Sequence, residues 1–180
     1  MKTNAIRILE QKNIPFETKS YDFDENFSDA VTAAEKVGLP PEQVFKTIVM
    51  RNEHKQIFVF CVPANSEVNL KKVRAITNSK DIAPVKQNEL LGLTGYIRGG
   101  CSPLGMKKKY KTFFDETAVL FDAVAISAGQ RGMQIFANAE KLAREASIRM
   151  LRRSAITFFM VSSLGFEYVH IITHIRGCVF

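Results

Sequence analysis

The feature that most restricts the fold is an apolar hairpin pattern across residues 44–62. This segment reads VFKTIVMRNEHKQIFVFCV, in which two runs rich in Val, Ile and Phe flank a polar stretch at residues 52–55. Such runs are typical of β-strands, and a short polar stretch between them is typical of a turn. The sequence therefore predicts a β-hairpin, and the chain must contain a sheet.

Helical segments lie on both sides of this hairpin. Capping residues mark their ends, such as Thr3 before the first helix, Gly38 after the second and Asn69 before the third. Helices and strands are mixed without strict alternation, so the class is α/β (α+β) with a mixed β-sheet. The predicted helices are 3–12, 29–37, 69–77, 88–93 and 139–151, and the further strands are 16–21, 112–114, 123–127 and 133–137.

The composition is that of one ordinary globular domain, with 180 residues of which 46% are hydrophobic and 24% charged. Cys61, Cys101 and Cys178 are far apart and lack the spacing of metal ligands, which indicates a reducing compartment. Neither a signal peptide nor an apolar run of membrane-spanning length is present in the sequence. We therefore expect a cytoplasmic protein without a metal ion, a cofactor or a membrane association.

Basic residues are concentrated in the middle of the chain, where they outnumber the acidic ones. The whole chain has 25 Lys and Arg against 18 Asp and Glu, a formal net charge of +7. One cationic region on a mixed surface indicates a patch that faces phosphates, although a solvated helix face with a lysine-rich loop has the same pattern. The region comprises Lys71, Lys72, Arg74, Lys80, Lys86, Arg98, Lys107, Lys108, Lys109 and Lys111.

A glycine-rich loop, RGGCSPLG at residues 98–105, stands directly before the lysine run. Gly99 and Gly100 can turn successive backbone N–H groups toward one oxygen, which would form an anion nest or an oxyanion hole. Pro103 stiffens this loop. The loop does not have the Gly-Lys-Ser/Thr ending, so it is not a phosphate-binding P-loop.

Cys101 lies within this loop and could act as a nucleophile if a base stood beside it. His54 lies in the predicted hairpin turn, and the other two histidines, His170 and His174, lie near the C-terminus. No histidine is therefore a credible base, and the sequence favours Cys101 as a small loop residue over a covalent role.

Lys46 interrupts the apolar strand FKTIVM and is followed by the hydroxyl of Thr47. Lysines in strands are usually edge residues that reach toward water. On a sheet face beside a glycine loop, however, a lysine could hold a phosphate or a carbonyl oxygen. Both interpretations are compatible with the strand pattern.

Taken together, the motifs VFKTIV, LTGYIRGGCSPLGMKK, FDETA and ISAGQRG occur in the order and spacing of a known family. Across roughly residues 1–150 the chain resembles the YbaK/EbsC aminoacyl-tRNA deacylases, which are related to the editing domain of bacterial prolyl-tRNA synthetases. The resemblance implies a mixed sheet or partly closed barrel flanked by helices. It also implies removal of cysteine from mischarged Cys-tRNA(Pro), acting in trans in the cytoplasm without a metal.

The resemblance assigns site residues by position. The catalytic positions it implies are Lys46 and the loop residues Gly99, Gly100, Cys101 and Ser102. The substrate-binding positions are Tyr21, Thr47, Pro103, Gly105, Ser127, Gly129, Arg131 and Gly132. Lys107, Lys108, Lys109 and Lys111 would hold the tRNA backbone, and a transient complex with prolyl-tRNA synthetase is a further expected partner interaction.

An activated ester needs little acid–base help, and the thiol of an attached cysteine can attack its own carbonyl. The protein would then supply positioning and charge stabilisation. Two alternatives stay open: an Ala-tRNA(Pro) deacylase in which water attacks, and a tRNA-binding module without catalysis.

The deacylase domain is predicted at residues 1–151. Residues 152–180 do not resemble the family and are an atypical extension, either two added strands or a non-native segment.

Overall fold

The computed structural model describes residues 2–24, 29–145 and 148–151. The predicted C-terminal extension, residues 152–180, lies outside the described residues, and the domain boundary at residue 151 stays a prediction. The described residues form five α-helices, eight strands and two short 3-10 helices, at Pro41–Gln43 and Glu116–Leu120.

The strands form one mixed sheet. Their order across the sheet is β1-β7-β6-β2-β3-β5-β8, and β4 pairs with β2 outside this path. The β2–β6, β3–β5 and β5–β8 pairs are parallel, whereas the others are antiparallel. The strands are β1 (Phe16–Ser20), β2 (Val44–Asn52), β3 (Ile57–Pro63), β4 (Ile82–Pro84), β5 (Lys111–Asp115), β6 (Val124–Ser127), β7 (Met133–Ala137) and β8 (Ile148–Leu151). The predicted hairpin is thus the centre of the sheet.

The helices begin and end at the residues that the sequence pattern marks. Thr3 and Asn69 accept hydrogen bonds from first-turn N–H groups, and Gly38 ends its helix with a φ of 73°. Asp29 also caps a helix, because its side chain accepts from the N–H of Thr32. The helices are α1 (Asn4–Gln11), α2 (Ala30–Val37), α3 (Leu70–Thr77), α4 (Gln87–Thr94) and α5 (Ala139–Glu145).

Helices cover both faces of the sheet. Alternate residues of β2 point to opposite faces, so Phe45 packs with the face under α1 and α5, while Val44 packs with the face under α2. Phe45 and Phe114 lie with their ring centroids 5.1 Å apart in the larger cluster. The predicted class, a mixed sheet flanked by helices, is confirmed.

One edge of β2 is only partly paired. On that edge β6 pairs with Val44 and Phe45, and β4 pairs with residues 50–52. None of the described strands pairs with residues 46–48 there, although these residues pair with β3 on the other edge. The sheet therefore has a local gap at Lys46, and this gap positions the site.

The predicted helix 139–151 is wrong over its last residues. The helix ends at Glu145, and Ile148–Leu151 forms β8, which runs parallel to β5 with Thr112 opposite Ile148. The free edge of β5 offers a row of backbone donors and acceptors, and pairing with them outweighs local helix propensity. Strand β4 was not predicted, because three residues carry too little pattern to be recognised.

Candidate active site

A cleft of about 790 Å³ opens at the gap in β2. Its walls come from the β1–α2 segment, the start of α2, the β4–α4 region and the glycine loop, and strand β2 passes along it. Six of the residues that the sequence assigned to a site line this cleft: Tyr21, Lys46, Thr47, Gly99, Cys101 and Ser127.

Lys46 is half-buried on the sheet face that α2 covers. Its Nζ donates a hydrogen bond to the carbonyl of Ala64 at 2.9 Å. An ammonium group has three donors, so this contact leaves others for a ligand in the cleft. Lys46 is therefore an interior strand residue at the gap and does not extend from an outer edge of the sheet.

Asp29 lies near Lys46 at the start of α2 and also lines the cleft. Its Oδ1 accepts from the N–H of Thr32 at 2.7 Å. The backbone hydrogen bond from Thr32, with a smaller contribution from the ammonium of Lys46, lowers the pKa of Asp29. The cleft thus contains a carboxylate that stays ionised, next to a cation.

Two buried polar atoms at the cleft have no hydrogen-bond partner among the described residues: Thr47 Oγ1 and Gln134 Oε1. Thr47 lies opposite Cys61 in the β2–β3 pair, and the thiol of Cys61 is at most a weak hydrogen-bonding partner for the Thr47 hydroxyl. Buried polar groups in folded proteins are nearly always paired. Unpartnered atoms here indicate that a ligand completes the site.

The two glycines of the loop differ in role. Gly99 has a φ of 82° and lines the cleft, and a Cβ there would lie 3.2 Å from the ring of Phe23. The N–H of Gly100 donates to the carbonyl of Ile97 at 3.0 Å, and a Cβ at this position would lie 3.0 Å from the backbone N of Arg131. Gly100 therefore allows close packing between two turns, and its N–H is already used within the loop.

Cys101 lines the cleft but is only 9% exposed. Burial raises the pKa of its thiol to about 12, so the thiol is neutral at physiological pH. The only histidine among the described residues is His54, whose side chain is 69% exposed in the hairpin turn.

Ser102 is fully buried, with its Oγ accepting from the N–H of Leu104, and Pro103 is buried beside it. Neither of these two residues lines the cleft.

Three glycines assigned to substrate binding lie outside the cleft lining. Tyr96 fills the space between Gly105 and Gly129, since a Cβ at either glycine would approach it to 2.8 Å. A Cβ at Gly132 would lie 2.7 Å from the carbonyl oxygen of Tyr21. These glycines permit close packing behind the site.

Arg131 is likewise outside the cleft lining, and it connects two parts of the wall. Its guanidinium lies 4.9 Å from the ring centroid of Phe23, and its Nε donates to the carbonyl of Arg98 at 3.0 Å. Phe23 and Arg98 both line the cleft. Arg131 therefore holds the segment after β1 against the glycine loop.

The lysines that follow the loop lie at the surface. Lys108, Lys109 and Lys111 are exposed, and Lys107 donates from Nζ to the carbonyl of Leu91 at 3.2 Å. None of the four forms an ion pair with a described acidic residue, whereas Lys72 pairs with Glu116. This positive charge is thus available to an anionic partner.

Sequence reasoning did not assign several other cleft residues to the site, among them Phe23, Asp24, Asp29 and Gln134. Gln134 could have been found from the sheet register, because it pairs with Ser127, which the motif had indicated. Asp29 carried the signal of a helix cap only. Phe23 and Asp24 belong to no regular element, so their place depends on tertiary contacts.

Across the described ranges, no helix is both long and apolar enough to cross a membrane. In the same part of the chain, no group of three or more His, Cys, Asp or Glu side chains is placed to hold a metal ion.

Solved structures share this fold. The chain superposes with a TM-score of 0.75 on the hypothetical protein APE2540, at 13% identity, covering 82% of this chain and 97% of that one. It superposes with a TM-score of 0.71 on a crystal structure described as "a putative trans-editing enzyme for prolyl tRNA synthetase", at 20% identity, covering 84% and 96%. At these identities the similarity shows the fold alone.

Sequence comparisons identify the family. An Enterococcus faecalis protein named "Putative Cys-tRNA(Pro)/Cys-tRNA(Cys) deacylase EbsC" is 39% identical over 134 residues, which cover 74% of this chain and 82% of the relative. The family model described as "Aminoacyl-tRNA editing domain" matches residues 24–145, which include the whole described cleft apart from Tyr21 and Phe23. The chain therefore belongs to the aminoacyl-tRNA editing domain family.

Proposed function

We propose that this protein is a trans-acting Cys-tRNA(Pro) deacylase, with Cys-tRNA(Cys) as a second substrate. The observation that carries the proposal is the convergence of Lys46, Thr47, Gly99 and Cys101 on one cleft, in which the thiol of Cys101 is protonated and therefore a poor nucleophile. The name of the E. faecalis relative supports the choice of cysteine. A bound aminoacyl ester would occupy the cleft, with its tRNA outside.

The cleaving group is the thiol of the attached cysteine. After losing its proton to solvent, the sulfur forms a bond to the carbonyl carbon of its own ester. The bond from that carbon to the ribose oxygen breaks, and the ribose oxygen takes up a proton. The products are intact tRNA and a cyclic thiolactone, which water then hydrolyses to cysteine. The first step is formally a lyase reaction, and the sum of both steps is hydrolysis.

The protein would stabilise the negative charge that develops on the carbonyl oxygen. Lys46 has donors beyond the one that the Ala64 carbonyl accepts, and these would reach the carbonyl or the terminal phosphate. The backbone N–H groups of Gly99 and Cys101 are not paired with a described acceptor, so they are candidate oxyanion donors. Gly100 is a weaker candidate, because its N–H is bonded to Ile97.

The mischarged tRNA is the proposed macromolecular partner. Lys107, Lys108, Lys109 and Lys111 would contact its phosphates. A transient complex with prolyl-tRNA synthetase would deliver the tRNA before release. The substrate and the two buried free thiols, Cys61 and Cys101, support a cytoplasmic location.

The test is deacylation of purified Cys-tRNA(Pro), Cys-tRNA(Cys) and Ala-tRNA(Pro) by the full-length protein. Fast release from the two cysteinyl substrates and slow release from the alanyl one supports the proposal. Faster release of alanine would instead make the protein an Ala-tRNA(Pro) deacylase that uses water. Binding of tRNA without any release would make it a tRNA-binding module.

A further inference from the structure

Three polar side chains that line the cleft lie on the sheet face that α2 covers: Lys46, Ser127 and Gln134. Ser127 pairs with Gln134 across β6 and β7, so both point to the same face. Two residues away, the pair Ala125 and Phe136 packs under α2 with Val44. By the same alternation, Lys46 lies two residues beyond Val44 on that face.

Gln134 is unusual among these three side chains. The residue is only 6% exposed, it lines the cleft, and its Oε1 accepts no hydrogen bond from any described residue. Ser127, in contrast, accepts the N–H of Gly129 at 3.2 Å. A buried acceptor without a donor indicates a ligand that brings one.

A second acceptor lines the same cleft. The carboxylate of Asp29 is held by the first turn of α2, where its Oδ1 accepts the Thr32 N–H. Asp29 lies close enough to Lys46 for the two charges to interact. An incoming cation would be repelled by Lys46 alone, but the carboxylate of Asp29 compensates for that repulsion.

We propose that Asp29 and Gln134 form a subsite for the α-ammonium group of the aminoacyl ester. An ammonium has three donors and a positive charge, so it suits a carboxylate and a buried amide oxygen together. This inference rests on the proposed function, since it takes the ligand of the cleft to be an aminoacyl ester. The consequence is a substrate class: esters with a free α-amino group are bound, and N-acylated esters, such as peptidyl esters, are rejected.

Binding of an uncleavable analogue tests the subsite apart from catalysis. The probes are 3′-cysteinylamino-3′-deoxyadenosine, in which an amide replaces the ester, and the same compound with its α-amino group acetylated. Calorimetry with the wild-type protein should show tighter binding of the free amine. Equal affinity for the two probes, or failure to bind either, would overturn the inference.

Variants then assign the preference to residues. Asp29→Asn keeps a good N-cap and removes only the charge. We expect it to weaken binding of the free amine by about 10- to 100-fold, the usual range for a charged hydrogen bond, and to leave the acetylated probe unchanged. Gln134→Met, of similar shape, should act in the same direction but less strongly.

Asp24→Asn is the matched control, because Asp24 is another carboxylate of the same cleft. It should keep the preference for the free amine. If Asp24→Asn abolishes the preference as fully as Asp29→Asn does, the general charge of the cleft is responsible and the subsite is wrongly assigned. An unchanged preference for the free amine in Asp29→Asn would likewise show that the subsite is wrongly assigned.

Deacylation of Cys-tRNA(Pro) by the wild-type protein separates the two proposals. Cleavage together with indifference to acetylation would reject the ammonium subsite and leave the deacylase function intact. Preference for the free amine without cleavage of any aminoacyl-tRNA would support the subsite and reject the deacylase function.

Discussion

Gly129 lies directly against the ring of Tyr96: a Cβ at position 129 would stand 2.8 Å from Tyr96 Cε1. Gly129 also has a φ of 92°, a conformation that other residues rarely adopt. Tyr96 is 7% exposed and donates from its hydroxyl to the carbonyl of Leu104 at 2.7 Å. The two glycine motifs are therefore joined through one tyrosine, behind the wall of the cleft.

Gly129→Ala should destabilise the protein by roughly 1–3 kcal/mol, because the strain of a positive φ adds to a contact that the ring must give way to. Thermal unfolding checks this. Gly92→Ala is the matched control, since Gly92 lies inside α4 with nothing within 4 Å of the added Cβ. It should stabilise the protein by about 0.5–1 kcal/mol. Equal melting temperatures for the two variants would contradict the packing role of Gly129.

Lys46→Ala should lower the rate of deacylation by ~10²–10³-fold, the usual loss when one group that stabilises the transition state is removed. Its melting temperature should change little, because Lys46 is half-buried beside an open cleft. The control is Lys19→Ala, because Lys19 also donates to a main-chain carbonyl, that of Val37, but lies outside the cleft lining. Comparable rates for these two variants would remove Lys46 from the mechanism.

Cys101→Ala should retain most of the activity, because burial raises the pKa of this thiol to about 12 and leaves it protonated in the working range. The rates of the variant and the wild type should depend on pH in the same way. Loss of activity with an unchanged melting temperature would instead indicate a covalent mechanism.

The same pKa predicts a change in stability with pH. The unfolded chain loses the Cys101 proton near pH 8.5, whereas the folded protein keeps it up to about pH 12. The folded state therefore becomes less stable as pH rises through this window. Below the window the thiol is protonated in both states, and the stability linked to its protonation is fully present. In Cys101→Ala this part of the alkaline loss should be absent, which urea titrations at neutral and alkaline pH can measure.

Local pattern was sufficient to predict the hairpin and the helix caps, because each depends on a few neighbouring residues. Local pattern also indicated Lys46 as a candidate site residue, a role that stays a prediction. It was not sufficient for Asp29 and Gln134, whose relation to Lys46 depends on the sheet order and on where α2 begins. The glycine motifs show another limit of sequence reasoning. A glycine can be required for close contact with a ligand or with a neighbouring side chain, and the sequence does not distinguish the two cases. Of the motif glycines, Gly99 alone lines the cleft. β8 was missed because its pairing with β5 is a tertiary effect.

Replacing Lys107, Lys108 and Lys109 with Gln should weaken binding of all tRNAs alike. Each lost phosphate contact should reduce the log–log salt slope by about 0.7–0.9. The control is a double replacement of Lys72 and Arg74, whose charges already pair with Glu116 and Asp81. An equal reduction in slope for both variants would show that the run after the glycine loop has no special role in tRNA binding.

The last prediction concerns the thiol that the substrate itself brings. If that thiol is the nucleophile, tRNA(Pro) charged with S-methylcysteine should bind the protein but stay uncleaved, because methylation removes the attacking group while preserving the rest of the ester. Ser-tRNA(Pro) should also be cleaved far more slowly than Cys-tRNA(Pro), since a hydroxyl is not ionised near neutral pH and a thiol is partly ionised. The rate with Cys-tRNA(Pro) should rise with pH until the substrate thiol is fully ionised, and Cys101 should not contribute to this profile because its pKa is raised to about 12. Rapid-quench chromatography should detect the cyclic thiolactone before free cysteine. Cleavage of the S-methyl ester at the rate of the cysteinyl ester would show that water, positioned by the protein, is the nucleophile.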